Sequence, residues 1–263
     1  MKWKFDILFL LMVLCCSCTE VIDDFSLNTA DERIVVDATI SPDKAIVILS
    51  KTTSYLDATE IPYLSGAQVT ISFNDKIVTL TEDSVGYYSK TMDFPTATNY
   101  ELVVTIGDEH VSARTYMPEP VLWDSASVAV SQYAELIPNK DTTKVLYEVF
   151  AYMTDPKSEA NYYRVETFIN DTLEATETTD DVFFNGQSVQ LLTMLYFFDK
   201  DDTLTVSMKS IDKAAYEFFN TLALSNSSSA MFSAPDNPKS NLQGNALGRF
   251  YAYSIDTLMF TFK

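Results

Sequence analysis

Short stretches in which apolar and polar residues alternate fill the chain from residue 31 onward. Ala67–Phe73 places Val69, Ile71 and Phe73 on one side, the period of two that marks a half-buried strand. Ile34–Ile40, Ala45–Ser50, Ile77–Leu80, Gly86–Ser89, Tyr100–Ile106 and Val111–Met117 read the same way. Turn signals lie between them at Ser41-Pro-Asp, Asn74-Asp75 and Gly107-Asp108. A run of short strands with no helix, over about 100 residues, predicts an immunoglobulin-like or transthyretin-like β-sandwich. The Cys–Trp–Cys core of true immunoglobulin domains is absent. Pro118-Glu-Pro120 then stops the last strand, because proline cannot donate to a ladder. The expected division is a first domain over 31–118 and a second over 121–263.

The second half is also mainly β. Ser125–Val130, Val145–Met153, Tyr162–Ile169 and Thr172–Thr178 can each alternate, and Asp199–Asp202 turns the chain into a strand over Thr203–Ile211. Asn170-Asp171 predicts a tight hairpin, and Asn185-Gly186 is the strongest hairpin dipeptide in the chain. Leu191–Phe198 is almost continuously apolar and reads as a central strand. One helix is expected near 212–225. Asp212 can cap it, and Ala215, Phe218, Phe219 and Leu222 fall on one stripe, which should lie across one face or end of the second sheet. Phe232–Gly248 reads as a long irregular segment, either functional or a packed connector. Arg249–Ile255 and Leu258–Phe262 read as two closing strands. The fold class expected is mainly β: a sandwich followed by a second β-rich domain with one helix.

The N-terminus differs in pattern. Lys2 and Lys4 precede the apolar run Ile7–Leu14, and Cys15-Cys-Ser-Cys18 follows. This reads as a secretory signal over 1–17, too short in its apolar part to span a bilayer. Ser17-Cys18 resembles the lipobox of bacterial lipoproteins, which implies cleavage before Cys18 and acylation of its thiol with palmitate-type chains. The plain alternative is an ordinary signal peptide. Residues 18–30 read as a tether. Its Glu20, Asp23 and Asp24 resemble the acidic signal that sends Bacteroidota lipoproteins to the cell surface, and equally suit a solvated linker.

Charge narrows the partners. The chain carries −19, and loss of Lys2, Lys4 and Asp6 with the signal takes it to −20. Such a chain is repelled by phosphate backbones, so no nucleic acid is expected. Anionic lipid head groups repel it too, so acyl chains must hold it to the membrane. All 3 cysteines lie at the predicted cut, so no disulfide is expected in the folded part.

Candidate chemistry is sparse. His110 is the lone histidine, and a hydrolytic triad could be built only around it; an inert surface histidine is the simpler reading. A zinc site would need more His or Cys ligands than the chain has. Asp199, Asp201 and Asp202 begin like a calcium loop, but the loop's glycine and closing glutamate are missing, which leaves a polar turn. Paired carboxylates for glycoside hydrolysis would meet only in three dimensions. No catalytic residue, metal or cofactor is expected. Ser84, Ser125, Thr142, Thr172, Thr203 and Thr257 each follow an Asp and precede Ala, Val, Leu or Thr. That resembles the Bacteroidota O-glycosylation signal, although Asp followed by Thr is also how a turn enters a strand.

Several stretches resemble one family. Cys18-Thr-Glu-Val-Ile-Asp, Glu32-Arg-Ile-Val-Val and Ser65-Gly-Ala-Gln-Val-Thr-Ile are similar to the early motifs of the Bacteroidota lipoprotein family domain of unknown function 4249. Asp181-Val-Phe-Phe-Asn-Gly186, Ser210-Ile-Asp-Lys-Ala-Ala-Tyr and Leu247-Gly-Arg-Phe-Tyr-Ala-Tyr-Ser254 resemble its later ones. The resemblance implies an outer-membrane lipoprotein, often encoded beside a TonB-dependent receptor, with no known catalytic residues. The expected role is capture of a glycan or peptide ligand, or support of such a transporter. An adhesin or structural surface protein is the alternative, and a glycan- or peptide-cleaving hydrolase ranks last.

Overall fold

Two β-sandwiches share one long strand. The computed structural model describes residues 31–53, 60–138, 140–141, 143–157, 159–226 and 237–263. The first sandwich begins with β1 (Ile34–Ile40), β2 (Lys44–Lys51), β3 (Gln68–Phe73) and β4 (Lys76–Thr79). It continues through β5 (Thr81–Ser84), β6 (Tyr87–Thr91), β7 (Thr98–Ile106) and β8 (Glu109–Met117). Of these eight strands only β5 has no counterpart in the alternation pattern; Thr81-Glu-Asp-Ser is too polar to betray a strand. The second half holds β9 (Trp123–Val130), a 3₁₀ turn over Gln132–Leu136, β10 (Val145–Thr154), β11 (Tyr162–Ile169), β12 (Thr172–Asp180), β13 (Ser188–Phe198) and β14 (Thr203–Ile211). Helix α1 (Lys213–Asn226), β15 (Leu242–Gln243) and β16 (Ala246–Thr261) complete it.

The strands form an eight-stranded sheet ordered β12-β11-β14-β16-β1-β2-β6-β5, a five-stranded sheet β15-β8-β7-β3-β4, and a three-stranded sheet β13-β10-β9. One core gathers Val36, Ile40, Val47 and Leu49 of the long sheet against Ile71, Leu102 and Val104 of the five-stranded sheet. The other gathers Tyr163, Leu204, Val206 and Met208 against Val149, Ala151 and Met153. The tight turns Asn74-Asp75 and Asn170-Asp171 both have positive φ, the geometry that a two-residue hairpin demands.

β16 serves both cores. Ala246–Ala252 pairs parallel with β1, and Tyr253–Thr261 pairs antiparallel with β14. Its even-numbered side chains explain this. Phe250 and Ala252 enter the first core, while Leu258 and Phe260 pack against the second. The predicted strands 249–255 and 258–262 are therefore one, and it begins inside the segment read as irregular, where Leu242–Gln243 also pairs with β8. The expected division at Pro118–Pro120 is the first of two crossings, since 242–252 return to the first sandwich. Glu32–Lys263 form one compact unit.

Two further expectations are corrected. β13 is an edge strand and β10 is the central one. The long apolar run does not mean burial on both faces, because Leu195 is 47% exposed. Asn185-Gly186 does not close a two-residue hairpin either. β12 and β13 lie in different sheets, and the Gly186 amide instead donates to the buried Asp155 carboxylate at 2.9 Å.

Asp212 caps α1 as expected, accepting from the Ala215 amide at 2.8 Å. Its second oxygen reaches the first sandwich, accepting from the Thr115 hydroxyl at 2.8 Å and the Tyr116 amide at 2.9 Å. The Thr115 hydroxyl in turn accepts from the Ala252 amide at 3.1 Å. Asp212→Asn keeps an oxygen for the cap but turns the other oxygen into a donor facing the Tyr116 amide. It is expected to cost about 1–2 kcal/mol while α1 stays formed. Hydrogen exchange checks this: faster exchange at Tyr116 with protection retained at Ala215 is the expected result, and unchanged exchange at Tyr116 would sink the clamp.

Candidate functional site

α1 lies on the outer face of the long sheet, against β11, β12 and β16. Alternation sends one set of side chains in each strand to that face. Cross-strand register then lines up Thr178, Arg164 and Lys209, and Arg249 beside Asp37. The helical stripe brings Phe219, 4% exposed, down onto them.

Both arginines rest on that ring. The guanidinium carbon of Arg164 is 3.8 Å from the Phe219 centroid and that of Arg249 is 4.8 Å away. The Tyr251 ring meets Phe219 edge-on at 5.1 Å, and Lys209 stands over Tyr253 at 4.5 Å. Cation–aromatic contacts of this kind are stronger when shielded from water.

Glu166 holds two of the cations. It accepts from Arg164 Nε at 3.0 Å and from Lys209 Nζ at 2.7 Å. Burial works to raise its pKa, but Lys209 and then Arg164 outweigh burial, so its carboxyl sits below the ordinary value. Tyr253 is pushed up to about 12, chiefly by burial. Asp37 accepts from Arg249 Nε at 2.8 Å and Nη2 at 3.3 Å. Arg164 Nη1 donates to the Thr178 hydroxyl at 3.3 Å. Among the described residues this leaves Arg164 Nη2 and Arg249 Nη1 without a hydrogen-bond acceptor.

A recess of ≈ 260 Å³ opens beside these groups. Arg164, Arg249, Thr176, Thr178, Asn220 and Phe219 line it, with Leu222 and Ala223. It offers cationic, hydroxyl and amide groups and an apolar wall, and no carboxylate. In sequence Phe219 and Leu222 look like helix packing alone, and neither arginine stands out from its strand. The available signal was rarity: the chain has four arginines, and two of them meet at one phenylalanine.

The residues singled out from sequence do not converge. His110 is exposed in the β7–β8 hairpin, its Nδ1 3.2 Å from the Thr105 hydroxyl. Asp199 pairs with Lys144 at 2.9 Å. Asp202 accepts from Asn170 Nδ2 at 2.8 Å and the Asp199 amide at 2.7 Å, and these bonds lower its pKa. The turn is thus tied by its own hydrogen bonds. Among the described residues no group of three or more His, Cys, Asp or Glu is placed to hold a metal ion. Ser84, Ser125, Thr172 and Thr257 are exposed, and Thr203 is half-buried. Asp256-Thr257 lies mid-strand in β16 and Asp124-Ser125 within β9, so neither is a turn entering a strand. Cys18 and Thr142 lie outside the described residues. Among the described residues no helix is long and apolar enough to cross a membrane.

The family model for domain of unknown function 4249 matches residues 21–258, nearly all of the chain described above. The chain belongs to that family. Two of the stretches that resemble domain 4249 motifs meet at the site: Ser210–Tyr216 supplies the cap and start of α1, and Leu247–Ser254 supplies Arg249, Tyr251 and Tyr253. No curated protein matches this domain 4249 chain. Among solved structures, a chain titled "Cytokine receptor complex - Crystal form 1A" is similar over 86% of this chain and 94% of that one, at 10% identity and a TM-score of 0.27. A likeness at that level carries no argument.

Proposed function

We propose that this chain is a lipid-anchored binding protein of the cell outer membrane, facing outward, that serves a TonB-dependent transporter in nutrient capture. The observation that carries the binding role is the recess under α1. It joins unengaged guanidinium nitrogens to hydroxyl and amide groups and an aromatic wall, the mix of apolar surface and few convergent polar groups typical of ligand sites. Its lining has no carboxylate or histidine to move a proton, which favours binding over hydrolysis.

The anchor part rests on sequence. Cys18 ends a short apolar run, and acidic residues follow it; acyl chains there would hold a chain of charge −20 against a membrane that repels it. The exposed hydroxyls of Ser84, Ser125, Thr172 and Thr257 are open to glycan addition. Intact mass of the native protein reads both modifications: polypeptide from Cys18 plus acyl chains, with further hexose-sized increments, is the expected result.

The deciding test is recovery of the lipidated protein from gently solubilised native membranes, with partners identified by mass spectrometry. Stoichiometric recovery of a TonB-dependent barrel is expected. Recovery of the chain by itself sinks the transporter partnership.

A further inference from the structure

We infer that the recess between α1 and β12 takes a single uronic-acid-type sugar, with the carboxylate held between Arg164 and Arg249. This rests on the binding role proposed above and names the ligand class for the same site.

Outward-facing carboxylates dominate this chain, yet the recess lining has two guanidinium groups and none of the opposite sign. Arg249 uses Nε and Nη2 on Asp37. Arg164 uses Nε on Glu166 and Nη1 on Thr178. One nitrogen of each remains for a planar anion, and two charge-assisted bonds from separate guanidinium groups suit a carboxylate. Their partners also hold both groups in place before a ligand arrives. The arginine side chains are 17% and 24% exposed, so they retain access to water without being loose on the surface.

The remaining lining reads a sugar better than a bare ion. Thr176, Thr178 and Asn220 present hydroxyls and an amide, which pair with ring hydroxyls. Phe219, Leu222 and Ala223 present apolar surface to ring C–H groups. At ≈ 260 Å³ the recess falls below the about 300 Å³ of the smallest drug-sized pockets, a size that suits one sugar ring. The overall charge adds selectivity. A chain that carries −20 once the signal is removed repels a polyanion over its whole surface, while one carboxylate is met by the local pair. A single uronate residue is therefore accepted and a long polyuronate is turned away.

Calorimetric titration of the full lipidated chain in detergent, with galacturonate, glucose, inorganic phosphate and polygalacturonate, tests this. The expected result is heat with galacturonate, with glucose and phosphate at least about tenfold weaker, the scale of lost charged hydrogen bonds, and polygalacturonate weaker per residue than the monomer. Arg249→Gln should abolish the heat. Because that variant also frees Asp37, Asn220→Ala and Thr176→Val serve as controls at exposed positions and should weaken binding severalfold with Tm unchanged. Phosphate binding as tightly as galacturonate would make this a simple anion site and overturn the sugar. Equal binding of glucose would overturn the role of the arginines. Tighter binding of the polymer would overturn the single-residue claim. No heat with any of the four overturns the site as a whole. The transporter partnership is read separately by the membrane pull-down, so either idea can fail without the other.

Discussion

Gly248→Ala is expected to be the most damaging single methyl in the chain, costing about 4 kcal/mol or more. Gly248 has φ +114, and a Cβ there would lie 2.0 Å from the Val36 carbonyl oxygen and 2.8 Å from its carbon. Both obstacles are backbone, so no side chain can swing aside. The positive φ adds strain that only glycine escapes. Relief requires β16 to move off β1, which opens Val36 and Ala38, both fully buried. For a chain of this size the loss lowers Tm by roughly 10 °C. Circular dichroism during heating checks it. Since β16 also carries the second core, one transition at lower temperature is expected. A variant that melted in two steps, with the second at the wild-type Tm, would show that the sandwiches are independent.

Glu166 carries the second large effect. Its side chain is 12% exposed, as is that of Lys209, and Arg164 is 17% exposed. Glu166→Gln leaves two shielded cations facing a neutral amide, and breaking a buried pair from one side costs about 3–5 kcal/mol. The pH dependence has a definite sign. The folded carboxyl lies below its ordinary 4.5, so its contribution is present above that value and fades as pH falls through the folded one. Tyr251 and Tyr253, both raised chiefly by burial, stay neutral across this range. Wild-type Tm should therefore fall more steeply below about pH 4.5 than that of Glu166→Gln. Parallel curves for the two proteins would assign the acid sensitivity to other carboxylates.

The strands were legible because each lays one face on a core. Tyr162–Ile169 alternates along its whole length and Thr203–Lys209 does so up to the final pair Ser210-Ile211, and the structure bounds the two strands at 162–169 and 203–211. Asp212 and the stripe behind it announced α1 almost to the residue. What could not be read is what depends on partners distant in sequence. Nothing in Ala246–Ala252 says that it pairs in parallel with Ile34–Ile40, because its alternation fits an antiparallel neighbour equally well. Leu191–Phe198 misled for a related reason, since an apolar run reports the side chains and not which ladder edge is filled. The site was hidden more deeply. Arg164, Glu166 and Lys209 look like the polar face of ordinary strands, and Phe219 like ordinary helix packing. Only the stacking of α1 on the sheet turns a solvated stripe into a shielded cluster with a recess beside it.

The shared strand also sets a timetable. A chain that leaves the ribosome or crosses a membrane N-terminus first presents β1 to β8 well before residues 246–252 appear. At typical synthesis rates that interval is on the order of ten seconds. Throughout it, β1 shows an unpaired backbone edge beside Val36, Ala38 and Ile40, an invitation to pair with a neighbouring chain. The first half therefore cannot mature as it is delivered. It must wait for a late-arriving seal that also closes the second half, so synthesis of the first half and its completion are separate events for this protein.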